Sequence, residues 1–345
     1  MSVTSPGVQP ERSIGGGRLV WKLYEHSPEV VVRAGNLARR VYEAAGTLHY
    51  PVFEFRGPRA ALGGGGCVLA AGPKAQAEFF AKTFLARVDS CREVDSVLLR
   101  RLDAAMVNAD ADIRFAFLDR ALARRYAPGA RALVPEWIGT EVAVTEARRP
   151  AFRLSHGLRH SLRQAEACGL SVEITRGLKG YEDFLEHAHI PSMRHRFGST
   201  AVIENAYQIR RWLRRGGFVR VKQEGACLLA AVYRIDAHIL RAGAHGRFAA
   251  CDRVNGRGAG ALLYRALFDL AASLNVSRVD LGGVRPFAND GVLQFKRRWG
   301  AELTGPTTAN VYALYSDGMT TALTGWARLR RPIVWQRSGL GELQV

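Results

Sequence analysis

From Ser155 onward the apolar positions change period cleanly from one segment to the next. "SHGLRHSLRQAEACG" has helical spacing between a Ser cap at Ser155 and a Gly stop at Gly169. "LSVEIT" alternates and predicts a strand, and helical spacing returns over 180–194 and 201–214. "GFVRVKQ", "ACLLAAVYRI" and "HILRAGAH" then follow, joined by the short turns Glu224-Gly225 and Asp236-Ala237, which predicts an antiparallel three-strand meander. A Gly-rich loop comes next, then a helix over 259–274, the strand "SRVDLGG", a helix over 291–298 and a last strand around "ANVYALY".

The first half has a weaker pattern. Residues 18–25 are strand-like and 29–45 helical. "GPRAALGGGGCVLAAGPKAQ" predicts a Gly-rich loop around a short strand, with a helix from about Gln76 to Val88. "DSVLLRRL" and "GTEVAV" have strand character, and "IRFAFLDRALARRYA" mixes apolar and basic positions as a helix does. Pro150 marks a junction. The expected organisation is a tail over 1–17, an N-terminal domain over 18–150, a second domain over 151–316 and a basic amphipathic helix and tail over 317–345.

Composition narrows the class. The chain has 345 residues, 48% apolar and 23% charged, which is globular and long enough for more than one core. No apolar run reaches the ~18 residues of a membrane-crossing helix, and the polar first seventeen residues lack a signal-peptide core, so a cytoplasmic protein is expected. The five scattered cysteines fit reduced thiols rather than disulfides or a cysteine zinc site. The net charge is +18, and 43 of the 49 basic residues are Arg. Such a balance favours anionic partners, with genome composition an equal explanation for the arginine usage.

The loop before the 259–274 helix is the chain's most specific signal. It lacks the Gly-Lys-Ser/Thr of a P-loop, and its Gly-x-Gly-x-Gly spacing is not the dinucleotide fingerprint. Arg253-Val254-Asn255-Gly256-Arg257-Gly258 instead fits Arg/Gln-x-x-Gly-x-Gly/Ala, with Gly260 just beyond. Glycines let backbone N–H groups approach a pyrophosphate, the helix start adds partial positive charge, and Arg253 and Arg257 add charge-assisted contacts.

Element order and this loop resemble the GNAT acyltransferase superfamily. "RHSLRQAEACGL", "MRHRFG" and "VDLGGVRPFANDGVLQFKRRWGAEL" resemble its FemAB-like branch, over about residues 150–315. The resemblance implies an α/β fold with a mixed, mainly antiparallel sheet flanked by helices. It also implies two tandem GNAT-like units, with a degenerate first one over 18–150. It assigns the loop to the pyrophosphate of acyl-CoA, a cosubstrate rather than a tightly bound cofactor. It puts the pantetheine arm where the fourth and fifth strands splay, here 238–245 and 277–282.

Three residues are candidates for the chemistry. Asp280 ends the fifth strand and serves as a base, as an anchor for Arg285 or as a cap on the following loop. His245 ends the fourth strand and has an ordinary pKa in the working range. Lys296 is one of only six lysines and either stabilises negative charge or belongs to a solvated "KRR" face. Phe295 stands about where many GNAT enzymes carry the Tyr that protonates the leaving thiolate, so that proton needs another donor. Arg159 and Arg163 share a helix face and, with Arg196, are candidates for an anionic substrate; neighbouring arginines exclude a metal at His156 and His160.

The C-terminal helix around Met319, Leu323, Trp326 and Leu329 either packs on the body or lies on a membrane surface. The leading function is acyl-CoA-dependent N- or O-acyl transfer to an unidentified, polysaccharide or lipid-linked acceptor. The alternatives are a FemAB-type peptidyltransferase using aminoacyl-tRNA, which is the one nucleic acid left in view, and a non-catalytic CoA-binding adaptor.

Overall fold

The computed structural model describes residues 49–61, 63–144, 154–198, 203–204, 206–249, 258–316, 321–336 and 339–343. The segments expected at 1–17, 18–25 and 29–45, and the junction at Pro150, lie outside them, as do Arg253, Gly256 and Arg257.

In chain order the elements begin with β1 (His49–Pro58), β2 (Gly65–Ala71), α1 (Lys74–Phe84), β3 (Ser90–Leu98), α2 (Leu102–Val107), β4 (Ile113–Asp119), α3 (Arg120–Tyr126), β5 (Ala132–Pro135) and β6 (Ile138–Ala143). Then come α4 (His156–Ala167), β7 (Ser171–Arg176), α5 (Tyr181–Phe184), a π-helical turn (Leu185–His189), α6 (Ile190–Phe197), α7 (Ala206–Leu213), β8 (Gly216–Gln223), β9 (Ala226–Asp236) and β10 (Ile239–Arg247). The chain continues through α8 (Ala259–Ser273), β11 (Arg278–Val284), α9 (Gly291–Arg297), β12 (Glu302–Pro306), β13 (Asn310–Tyr315), α10 (Thr321–Arg330), β14 (Ile333–Gln336) and β15 (Gly339–Glu342).

The fold is α/β with two mixed, mainly antiparallel sheets flanked by helices. The six-stranded sheet has the order β3-β1-β2-β4-β13-β5, and the seven-stranded sheet β12-β6-β11-β10-β9-β8-β7. Each contains one parallel pair, β2 with β4 and β10 with β11. The expected meander is present as β8, β9 and β10.

Sheet membership crosses the expected division at 150. β6 belongs to the seven-stranded sheet, between β11 and β12. β13, read as the last strand of the second domain, lies between β4 and β5 of the other sheet.

"IRFAFLDRALARRYA" is not one helix. Ile113–Asp119 forms the interior strand β4, and only Arg120–Tyr126 is helical. From Ile113 through Leu118 every residue of β4 is buried, because helices cover both faces of the sheet. A strand buried on both sides carries no alternation to betray it. Asp119 then caps α3, its carboxylate accepting from the Ala121 N–H at 2.8 Å.

The apolar face of α10 is packed in the six-stranded sheet's core. Trp326 is 1% exposed, its ring packs tilted against Phe80, and its indole N–H donates to Thr83 Oγ1 at 3.1 Å. Leu329 is the large apolar side chain of this helix left in solvent. Of the two readings of this helix, packing on the body is the one present: its apolar face is turned inward. No helix among the described residues is long and apolar enough to cross a membrane.

Candidate active site

The site begins where β10 and β11 part. Their parallel register covers only Ile239 with Arg278, Leu240 with Val279 and Arg241 with Asp280. Beyond that rung both strands are irregular against their outer neighbours. β10 shifts register against β9 between Ala242 and His245, and β11 against β6 between Asp280 and Gly283. The splay expected at 238–245 and 277–282 is thus present.

A strand that leaves its neighbour strands its carbonyls, and buried carbonyls need donors. Here side chains supply them. Lys296 Nζ donates to the carbonyl oxygens of Gly282 and Gly283, each at 3.1 Å, and Thr140 Oγ1 donates to Gly282 O at 2.7 Å. Gly282 takes φ 77°, a left-handed bend that glycine adopts without strain, and its N–H donates to Asp280 Oδ1 at 2.8 Å.

The gap opens into a cavity of about 910 Å³. Its walls come from β10 (Ala242 to His245), the end of β11 (Leu281 to Gly283), the first turns of α8, α9 (Val292, Phe295, Lys296) and α7 (Gln208, Trp212). Gly243 and Trp212 meet in this wall, and a Cβ on Gly243 would strike the Trp212 ring. Along α8 the lining residues Gly260, Leu263, Tyr264 and Leu267 follow helical spacing, so one face of that helix looks into the cavity.

Gly258 starts α8 at φ 85°, and a Cβ there would run into Ser161 O and Ala165 of α4. This glycine therefore serves close packing of α8 on α4 as well as the turn. A Cβ on Gly260 meets nothing within 4 Å.

The expected catalytic residues separate. Lys296 and His245 line the cavity, whereas Asp280 does not. Asp280 Oδ2 accepts from Arg241 at 2.5 Å, so the anchoring role expected for it is present, with Arg241 as partner rather than Arg285. Arg285 instead lies between the Phe79 and Trp137 rings, 3.7 and 3.8 Å from their centroids. Lys296 is only 3% exposed and so is not part of a solvated basic face. Burial lowers its pKa to about 8, with Asp280 and Asp290 opposing.

His245 faces the cavity and keeps accessible surface there, although protein surrounds it deeply. Burial pushes its pKa down, His189, Lys296 and Arg196 push the same way, and Glu204 opposes; it titrates below the ordinary histidine range. Its neutral form can accept a proton.

Among the expected substrate residues, Arg196 lines the cavity. Arg159 and Arg163 do not: α4 turns Leu158 and Ala165 inward against α8 and leaves both arginines exposed.

Tyr264, Glu204 and His189 were missed by sequence reasoning. Tyr264 lies one turn after Gly260 on the face of α8 that looks inward, a spacing that would have found it. Its ring packs edge-on against Phe295, with centroids 4.9 Å apart, and burial pushes its pKa up to about 12. Glu204 and His189 carried no motif, because they meet only through tertiary packing.

No protein-family model matches the chain, and no curated protein matches it. Several solved structures are similar to it. L-PGS from Bacillus licheniformis is 13% identical with a TM-score of 0.40, over 75% of this chain and 80% of that one. FemX is 11% identical with a TM-score of 0.40, over 77% of this chain and 83% of that one. A GCN5-related N-acetyltransferase from Sphaerobacter thermophilus is 15% identical with a TM-score of 0.36, over 59% of this chain and 58% of that one.

Proposed function

We propose that the protein transfers an acyl group from an acyl-CoA thioester to an amine or hydroxyl acceptor in this cavity. The observation that carries the reading is the separation of β10 from β11 after Arg241 and Asp280, around a cavity that begins at the start of α8. An extended pantetheine-like arm fits a gap between two strands, where the N–H groups of β10 facing the gap lack β11 partners. Those groups can hold the arm and the developing oxyanion. The Arg253–Gly258 pattern precedes the same helix start and supports a pyrophosphate there.

The steps balance within the cavity. The acceptor attacks the thioester carbon and its proton passes to neutral His245. Collapse of the tetrahedral intermediate breaks the C–S bond. The leaving thiolate takes a proton from Tyr264, whose phenol is protonated at neutral pH, and solvent restores both side chains.

Gly258 is a poor place to test donor binding, because any side chain there also disturbs the packing of α8 on α4. Gly260 separates the two effects. Acetyl-CoA is titrated calorimetrically against wild type and Gly260→Trp, and folding is checked by thermal melting. The expected result is binding to wild type, at least tenfold weaker binding to the variant, and an unchanged melt. No binding to wild type, or equal binding to both, removes the acyl-CoA reading; in the first case charged tRNA becomes the donor to titrate. Binding without thiol release across a panel of amines and alcohols leaves the adaptor.

A further inference from the structure

The turn Leu185–His189 is π-helical, a local irregularity common at functional sites. It lies against the last residues of β10. A Cβ on Gly246 would strike the backbone of Ala188 and His189, so glycine allows the contact. One turn later Ser192 Oγ accepts from Arg247 N at 2.7 Å and donates to Arg247 O at 3.1 Å.

His189 is at the centre of this junction. It is 1% exposed, and its ring stacks near Phe184 with centroids 5.8 Å apart. Nδ1 donates to the His245 carbonyl at 2.8 Å, and Nε2 lies 2.7 Å from Glu204 Oε2 in an ion-pair contact, off the hydrogen-bond line. Burial acts against the charged ring, but Glu204 and the carbonyl outweigh it, so His189 titrates above the ordinary histidine range. The reverse holds for Glu204: burial acts upward, and His189 holds the carboxylate below its ordinary range. Glu204 keeps 39% of its side chain exposed and is the one carboxylate among the described residues lining the cavity.

Charge decides what Glu204 is for. The groups acting on His245 are Glu204, His189, Lys296 and Arg196, and Glu204 is the one with negative charge. Protonating His245 without Glu204 would add a positive charge to a space that already holds three cationic groups. We propose that Glu204 is the counter-charge for the imidazolium formed when His245 takes the acceptor's proton, and that His189 is the positioning residue that fixes Glu204 against the β10 segment carrying His245. The proposal rests on the acyl-transfer reading for the meaning of that proton. The electrostatic arrangement stands apart from it and can be measured without a substrate.

The test is an NMR pH titration of the full chain with histidine labelled at Cε1, its signals assigned with His245→Gln and His189→Gln. In Glu204→Gln, a near-isosteric change at a partly exposed side chain, His245 is expected to titrate at lower pH than in wild type. An unchanged or higher titration in a folded variant overturns the counter-charge. In the His189→Gln background, Glu204→Gln is expected to move His245 less. An equal movement in both backgrounds overturns the positioning role. Failure of acetyl-CoA to bind, with these shifts intact, removes the donor and leaves the charge arrangement standing.

Discussion

Arg241 and Asp280 form the last paired rung of the parallel β10–β11 ladder, and their side chains join at 2.5 Å across it. The cavity starts one residue further on. The ion pair thus clasps the point from which the strands diverge, and Arg241 is held a second time by Asp236 at 3.0 Å.

Asp280→Ala is expected to cost about 2 kcal/mol of stability, because it removes a charge-assisted bond and the acceptor for the Gly282 N–H. Asp280→Asn, which keeps the shape, should lose little stability and leave the pH profile of turnover unmoved. Urea melts and a pH–rate curve check both. A lost acidic limb in Asp280→Asn would restore Asp280 as the proton acceptor.

Gly258→Ala should destabilise the protein by about 1–3 kcal/mol, since it sets a side chain at positive φ against the backbone of α4. Gly260→Ala should stay within about 0.5 kcal/mol of wild type, or gain slightly from helix propensity. Thermal melts of the two variants side by side give the comparison. Similar losses in both would show that the glycines are not distinguished by packing.

Tyr264→Phe keeps the ring that meets Phe295 and removes only the hydroxyl. Turnover of acetyl-CoA with a working acceptor should fall roughly ten- to hundredfold, while its Kd stays within a factor of about two. Free-thiol trapping and calorimetry read the two numbers. Unchanged turnover would assign the thiolate proton to solvent.

Lys296 predicts a stability change at alkaline pH. Its pKa is about 8 in the folded protein against 10.5 as an unperturbed group, because burial disfavours the ammonium. Below pH 8 folded and unfolded chains both hold the proton, and the burial cost is fully present. Between about pH 8 and 10.5 the unfolded chain still holds a proton that the folded protein has released, so this group's contribution to stability rises with pH, by on the order of a few kcal/mol. Lys296→Met lacks that rise. Urea melts at pH 7 and pH 9.5 should show the stability of wild type, measured relative to the variant, higher at pH 9.5 than at pH 7.

The meander and the cap at Ser155 were legible because each is local; the splay of β10 from β11 was expected only through the resemblance, since no local signal marks where two strands part. Periodicity erred at β4, where burial on both faces, Arg114 included, leaves no alternation to mark a strand. It missed β1, where Pro51 and Pro58 punctuate "HYPVFEFRGP" as turn residues do. In the site, Lys296 and His245 could be found as rare or well-placed residues on assigned elements. Glu204 could not, since nothing in "VIENAYQ" indicates that its carboxylate will meet a buried histidine fifteen positions earlier.

The exchange of β6 and β13 between the two sheets makes the halves of this chain mutual scaffolding. A fragment from 154 onward would lack the strand that borders both β11 and β12, and with it Thr140, which holds the Gly282 carbonyl at the cavity edge. A fragment ending at 144 would lose the strand that separates β4 from β5, opening the core of the other sheet. Produced together, they should behave like a split reporter: inert apart, and regaining the cavity only when each supplies the strand the other is missing.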